Sequence, residues 1–390
     1  MSCYAVLRRR AVTAMAIALC STVLPMLDLG ARANGSTQYA PSPRVCGSQA
    51  LLSGWSLSRL IEQLIVIPVD QSELAAAKGE IAAGVGGLIL TGSPPVTLQQ
   101  QVSLALKGAP DGIDPLVMTD EEGGAVQQLW PVISDFPSAR TMGATMTPSA
   151  IEHLALGLGV SMRHLGLTMD LAPVADIDAR PGPSATNADG TRSFSGDTKT
   201  ATRDALAFAT GLERAGVIPV FKHFPGLGGA EGNTDLMAAS TQPWKSVERA
   251  GLVPFERAIT AGIPAIMVSN AIVPGLSRTP ASLSRVVITK ELRGRLHFRG
   301  LVLTDSLSAV AITHAHYPLG VAAVDALIAG ADMVLFNAST IDLARTTAEI
   351  VSAIRFAVAK GTISRKQIIR DAALVLSTKH ISSCAGSSRS

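Results

Sequence analysis

Short apolar runs along this 390-residue chain end in acids and bases. Thr119 is followed by Asp120-Glu121-Glu122-Gly123-Gly124, and Asp170 leads on to Asp176 and Asp178. Val217–Phe221 runs into Lys222-His223-Phe224-Pro225-Gly226, Val268 into Ser269-Asn270, and Leu303 into Thr304-Asp305-Ser306. Carboxylates can attack an electrophilic carbon or exchange protons, whereas lysine and arginine only donate hydrogen bonds. Gathered on one surface, such groups suit polyol recognition and acid–base chemistry. Each also has a plainer reading. A carboxylate ending a strand often caps the next helix, which would account for Asp176, Asp178 and Asp332. Lys222-His223 reads equally well as an ion-pair element of the fold.

The elements that must position these residues are regular. Strand-length apolar runs fall at Leu64–Pro68, Gly87–Leu90, Leu116–Thr119, Thr168–Pro173, Val217–Phe221, Ala265–Val268, Leu301–Thr304 and Met333–Phe336. Helical patterns between them include Pro148–Leu165, Lys199–Ala215, Ser246–Ala261, Ile288–Leu296, Ala322–Ala329 and Ile341–Ala359. Continuous apolar runs fit strands covered on both faces of a parallel sheet. Eight of them with intervening helices predict an α/β fold, a closed (β/α)8 TIM-type barrel forming a single domain over residues 54–379. Such barrels carry their chemistry on the loops after the carboxyl ends of the strands, where these acids and bases lie.

Composition agrees. The chain is 47% hydrophobic and 16% charged with 35 glycines, as an Ala/Val/Leu-rich globular protein would be. The formal charge of +3 arises at the amino terminus, where Arg8, Arg9, Arg10 and Arg32 outweigh Asp28. The remainder is neutral, which gives no general attraction for nucleic acid or anionic membrane surfaces.

Residues 1–33 read as a signal peptide: basic Arg8–Arg10, apolar Ala11–Leu27, then Ala31-Arg32-Ala33 before a mature start at Asn34. A retained anchor is the alternative, although the run is short of the roughly 20 residues a spanning helix needs and Pro25 interrupts it. Lipidation at Cys20 is another, with Leu19 where a small residue is usual. The protein is thus expected to be exported: secreted, periplasmic or envelope-associated, with a membrane tether only if that segment stays or is lipidated. Residues 34–53 form a linker and 380–390 a tail. Cys46 and Cys384 sit near opposite ends of the mature chain and are read as a tentative disulfide, permissible after export, or as two unrelated thiols. Neither has neighbours suggesting a zinc site.

The chain resembles glycoside hydrolase family 3 along most of its length. Lys222-His223-Phe224-Pro225-Gly226 is similar to that family's K-H-F-P-G run. Asp120 to Gln127 resembles its D-x-E-G-G-x-V-Q, Asp170 to Asp176 its D-x-A-P-V-x-D, Arg192-Ser193-Phe194 its R-S-F, and Phe298 to Leu307 its F-x-G-x-x-x-[ST]-D-x-L. The single-domain bacterial β-N-acetylhexosaminidases are the nearest subgroup. The resemblance implies a retaining enzyme without metal or organic cofactor, acting on a small carbohydrate or muropeptide substrate by removing terminal β-linked N-acetylglucosamine. Asp305 would be the nucleophile forming a covalent glycosyl-enzyme. Asp120 would accept hydrogen bonds from sugar hydroxyls, and Arg192, Lys222 and His223 would donate them.

The pattern breaks where a proton donor is needed. The family has a K-H-F-P-G-H-G run followed by a D-S-H triplet, but here Asn233-Thr234-Asp235 occupies the triplet and the Asp-His dyad is absent. Gln128 and Asn270 likewise stand where the family has arginine and histidine, so altered ligand contacts are expected. Three readings compete. Asp235 is the acid/base, with Glu231 a second carboxyl on the same glycine-rich loop. The enzyme relies on good leaving groups or another acceptor. Or the barrel binds a sugar or muropeptide with little or no turnover.

Overall fold

Ile65, Val66 and Ile67 are fully buried, and the strand they begin, β1 (Ile65–Asp70), pairs in parallel with the next apolar run. The others are β2 (Gly87–Thr91), β3 (Leu116–Thr119), β4 (Met169–Asp170), β5 (Ile218–Phe224), β6 (Ala265–Val268), β7 (Leu301–Thr304) and β8 (Val334–Leu335). A computed structural model describes Ser48–His380. The hydrogen-bonded order is β8-β1-β2-β3-β4-β5-β6-β7. A parallel bridge from Leu303 to Met333 joins β7 to β8, with the Thr304 N–H donating to the Met333 carbonyl at 3.1 Å. The ring of eight closes, as the apolar runs predict.

Helices cover the outside. Thr147 caps Pro148–His164 by accepting from the Ala150 N–H, and Asp197 caps Thr198–Arg214 by accepting from Thr200. These two pack closely because of small residues: a Cβ on Gly211 would lie 2.3 Å from the Glu152 carbonyl oxygen. Ser246–Ala261 is not one regular helix, since a π-helical turn at Val247–Gly251 precedes Val253–Ala261. The structure adds elements that the apolar periodicity does not reveal: the Leu98–Leu106 helix, the closing Arg365–Thr378 helix and a hairpin pairing Glu121–Gly123 with Val126–Gln127.

Strand β5 carries two ionisable side chains to the mouth of the barrel. It runs three residues past the apolar segment, so Lys222 and His223 lie within the strand. Its register with β6 shifts between Phe221 and Phe224. Lys222 there bridges Val174, and its carbonyl accepts from the Ala175 N–H at 2.7 Å. Phe224 is anchored edge-on against Phe255, with centroids 5.4 Å apart; burying such a ring contributes roughly 1.5–3 kcal/mol.

The expected targeting segment, the expected linker up to Gly47, the expected tail from Ile381 and both Cys46 and Cys384 lie outside the described residues. Among the described residues, no helix is long and apolar enough to cross a membrane.

Candidate active site

Asp120 and Glu122 are two apart in extended chain beyond β3, a spacing that turns both side chains to one side. Lys222, buried at the end of β5, reaches between them: its Nζ lies 2.5 Å from Asp120 Oδ1 and 2.6 Å from Glu122 Oε1. Arg192 meets the other face of Glu122 in a fork, Nε to Oε2 at 2.7 Å and an Nη to Oε1 at 2.8 Å. Burial opposes ionisation of Glu122, yet Arg192 and Lys222 hold its carboxyl well below the usual range. Against the same burial, Asp120 and Glu122 hold Lys222 well above its ordinary value. The result is a chain of alternating charges fixed before any ligand arrives.

His223, the next residue on β5, turns to Asp176 beyond β4. The Asp176 carboxylate accepts from the His223 backbone N–H at 3.0 Å and from the Leu227 N–H at 2.6 Å, and lies 2.6 Å from His223 Nδ1. Burial raises Asp176 to about 7 despite those two backbone hydrogen bonds. Burial and the Arg192 charge lower His223. His223 thus sits against Asp176 through Nδ1 and lines the cavity.

Asp305 follows β7. Its backbone N–H donates to the Val268 carbonyl at 2.9 Å, and its Oδ1 accepts from the Ser306 N–H at 2.7 Å. Burial raises its carboxyl to about 6, with the Asp235 charge adding to the rise and His223 opposing it. Asp235 stands on the loop after β5, exposed at the rim. That loop is well held. Gly232 and Asn233 donate to the Thr186 and Ala185 carbonyls, Thr234 accepts from Ala311, and the Asn233 side chain accepts from the Asp235 N–H at 3.0 Å. Gly228 passes so close to Ile177 that a Cβ would lie 2.1 Å from its carbonyl oxygen.

These residues line one cavity of about 310 Å³ at the carboxyl end of the barrel, shared by Asp120, Arg192, Lys222, His223, Asp235 and Asp305. That volume is at the lower end of small-molecule sites. The structure therefore brings together every catalytic and sugar-contacting position expected from sequence. Glu122, Ser306 and Asn337 line it too and were not singled out; the alternation of Asp120 with Glu122 was the available signal for the first. Neither Gln128 nor Asn270 lines the cavity. The Gln128 N–H donates to the Asp120 carbonyl, and the Asn270 side chain is consumed inside the protein by Ser306 and Ser282. Of the residues with plainer readings, Asp332 is structural: it accepts from the Val302 N–H at 2.7 Å and pairs with Arg293. Asp178 likewise pairs with Arg180.

A closed parallel barrel with several carboxylates on a small, hydrogen-bonding cavity suits glycoside hydrolysis. Residues 56–378 match the glycosyl hydrolase family 3 N terminal domain. The chain belongs to that family. It is 34% identical over 306 residues to a protein named Beta-hexosaminidase LpqI from Mycobacterium tuberculosis, covering 76% of this chain and 77% of that one. A glycosyl hydrolase of the same family from Mycobacterium smegmatis superposes with a TM-score of 0.75 at 31% identity, over 84% of this chain and 98% of the other. A beta-N-acetylhexosaminidase from Beutenbergia cavernae gives 0.74 at 32%, over 84% and 99%.

Proposed function

We propose that this glycosidase removes terminal β-linked N-acetylglucosamine from cell-wall or muropeptide-type substrates through a covalent glycosyl-enzyme on Asp305. The observation that carries the reading is the placement of Asp305 and Asp235 on the same small cavity as the Asp120–Lys222–Glu122–Arg192 chain. Asp120 and Lys222 engage the sugar hydroxyls, and His223 hydrogen-bonds to one of them. Glu122 and Arg192 hold Lys222 in place. With the sugar seated, the Asp305 carboxylate attacks C1 while protonated Asp235 gives its proton to the leaving oxygen. Water then attacks C1, Asp235 takes its proton, and Asp305 leaves.

The two carboxylates are electrostatically linked, since the Asp235 charge adds to the rise that burial imposes on Asp305. One protonated acid and one carboxylate is the pair that the first step requires. Exposure of Asp235 favours a second reading, a sugar-binding barrel with little turnover of natural glycosides.

The test is release of the aryl group from an aryl N-acetyl-β-glucosaminide. Asp305→Ala is expected to abolish it, and a fluorosugar adduct should map to Asp305. Equal release by wild type and variant rejects the reading. For Asp235→Asn, a loss of about 10²–10⁴-fold is expected on natural disaccharides, with activated aryl glycosides largely spared; equal loss on both excludes Asp235 as the proton donor. The basic and apolar amino-terminal run supports export, and a mature protein beginning at Asn34 is the expected product of processing.

A further inference from the structure

Behind the cavity wall, His223 converges with two carboxylates, Asp176 and Asp189, that the proposed reaction does not use. Asp176, Asp189 and His223 each offer one ligand atom, and these atoms lie within 4.8 Å of one another. Asp189 is the unexplained member. It is 1% exposed, and neither of its carboxylate oxygens has a hydrogen-bond partner. A buried carboxylate is normally paired, protonated or bound to a metal.

Pairing is closed off because the surrounding cations are engaged elsewhere. Arg192 is forked onto Glu122 and donates to the Ala188 carbonyl. Arg180 is forked onto Asp178 and also donates to Asn187 and to the Ala230 carbonyl. Lys222 lies between Asp120 and Glu122. Arg192 thus acts on Asp189 only through its charge, and among the described residues neither Asp189 oxygen has a direct partner.

We propose that Asp176, Asp189 and His223 form a binding site for one divalent transition-metal ion of the zinc type. Two carboxylates and one imidazole form an open three-ligand set, with the remaining position left for water. An imidazole among only three protein ligands disfavours calcium and magnesium, which need more oxygens. Metal–ligand bonds of about 2.0–2.2 Å set tetrahedral ligand atoms roughly 3.3–3.6 Å apart, so the wider pairs must close in while Asp176 and His223 Nδ1, now 2.6 Å apart, must part as the ion replaces the proton between them. Because His223 also lines the sugar cavity, an occupied site fixes that ring from behind and couples metal binding to sugar binding.

Tag-free mature protein, stripped with chelator and titrated with Zn²⁺ by calorimetry, is expected to bind about one ion per chain, with the ion located by anomalous scattering between Asp176 and Asp189. Asp189→Asn should weaken binding by about tenfold or more while metal-free turnover is unchanged, since Asp189 touches neither the cavity nor the reacting groups. Asp189→Leu should abolish binding, and far-UV circular dichroism checks that both variants fold. No ion bound by the wild type, equal affinity in Asp189→Asn, or an ion located elsewhere overturns the proposal. Metal binding is read directly, so this result stands apart from whether the enzyme cleaves N-acetylglucosaminides.

Discussion

The Asn270 side-chain amide donates to the Ser306 carbonyl at 2.6 Å, and so braces the turn that carries Asp305. Its Oδ1 in turn accepts from the Ser282 hydroxyl at 2.6 Å. Asn270→Ala leaves the buried Ser282 hydroxyl without this partner and the Ser306 carbonyl with only its bond from the Ala309 N–H, at a cost of about 1–3 kcal/mol. The expected outcome is a lower midpoint in chemical denaturation together with a fall in kcat that exceeds any rise in KM. An unchanged kcat would show that the turn holds itself.

The pH dependence of kcat/KM follows from the Asp305–Asp235 repulsion. In the proposed mechanism Asp305 must be ionised to attack, and its carboxyl is raised to about 6 by burial and then by Asp235. Activity should therefore rise with pH through about 6 on the acid limb. Asp235→Asn removes the like charge, so that limb should move to lower pH. The profile is best measured with an activated aryl glycoside, for which proton donation matters least. A limb that stays in place would break the link between the two carboxylates.

Glu122→Gln isolates the buried charge chain. The substitution keeps the shape but leaves Lys222 and Arg192 facing each other without the anion between them. Removing one member of such a buried set costs about 3 kcal/mol or more. Thermal unfolding should report the loss, and KM should rise more than kcat falls, because Lys222 loses its fixed position. A variant as stable as wild type would mean that these cations are better hydrated than their burial indicates.

Lys379, at the end of the last helix, gives a stability prediction remote from the cavity. Its ammonium donates to Gln63 Oε1 at 3.0 Å. Burial, and then the Arg59 charge, lower it to about 7, with Asp114 opposing. The unfolded chain holds this proton up to about 10.4. Between those values the unfolded state binds more protons, so this group's contribution to stability increases as pH rises from about 7 to 10.4 and its full penalty applies below 7. Lys379→Met should therefore raise Tm relative to wild type most at about pH 6, with the gain shrinking by about pH 10. A pH-independent difference would count against the shift.

The barrel was legible in the sequence because strands buried on both faces leave uninterrupted apolar runs, and each of the eight runs became a strand. The cavity was legible because strand ends declare themselves by acids, bases and glycines. Partnerships were not. Arg192 reaches Glu122 across 70 residues, and His223 reaches Asp176 across 47, distances at which no local spacing constrains geometry. Asn270 shows the same limit: its position after β6 suggested the ligand, whereas two serines from separate segments claim it. Asp189 gave no signal, since nothing local distinguishes an unpartnered acid from a capping one.

The rim segment bearing Asp235 and the segment around Ala185–Asn187 share backbone hydrogen bonds, through Gly232 to Thr186 and Asn233 to Ala185. On the proposed role of Asp235, selection of the departing group is a composite trait, written in two stretches of chain separated by the whole of one barrel repeat. A graft of either stretch alone from a relative would arrive without its counterpart, so aglycone preference should transfer only when both are exchanged together.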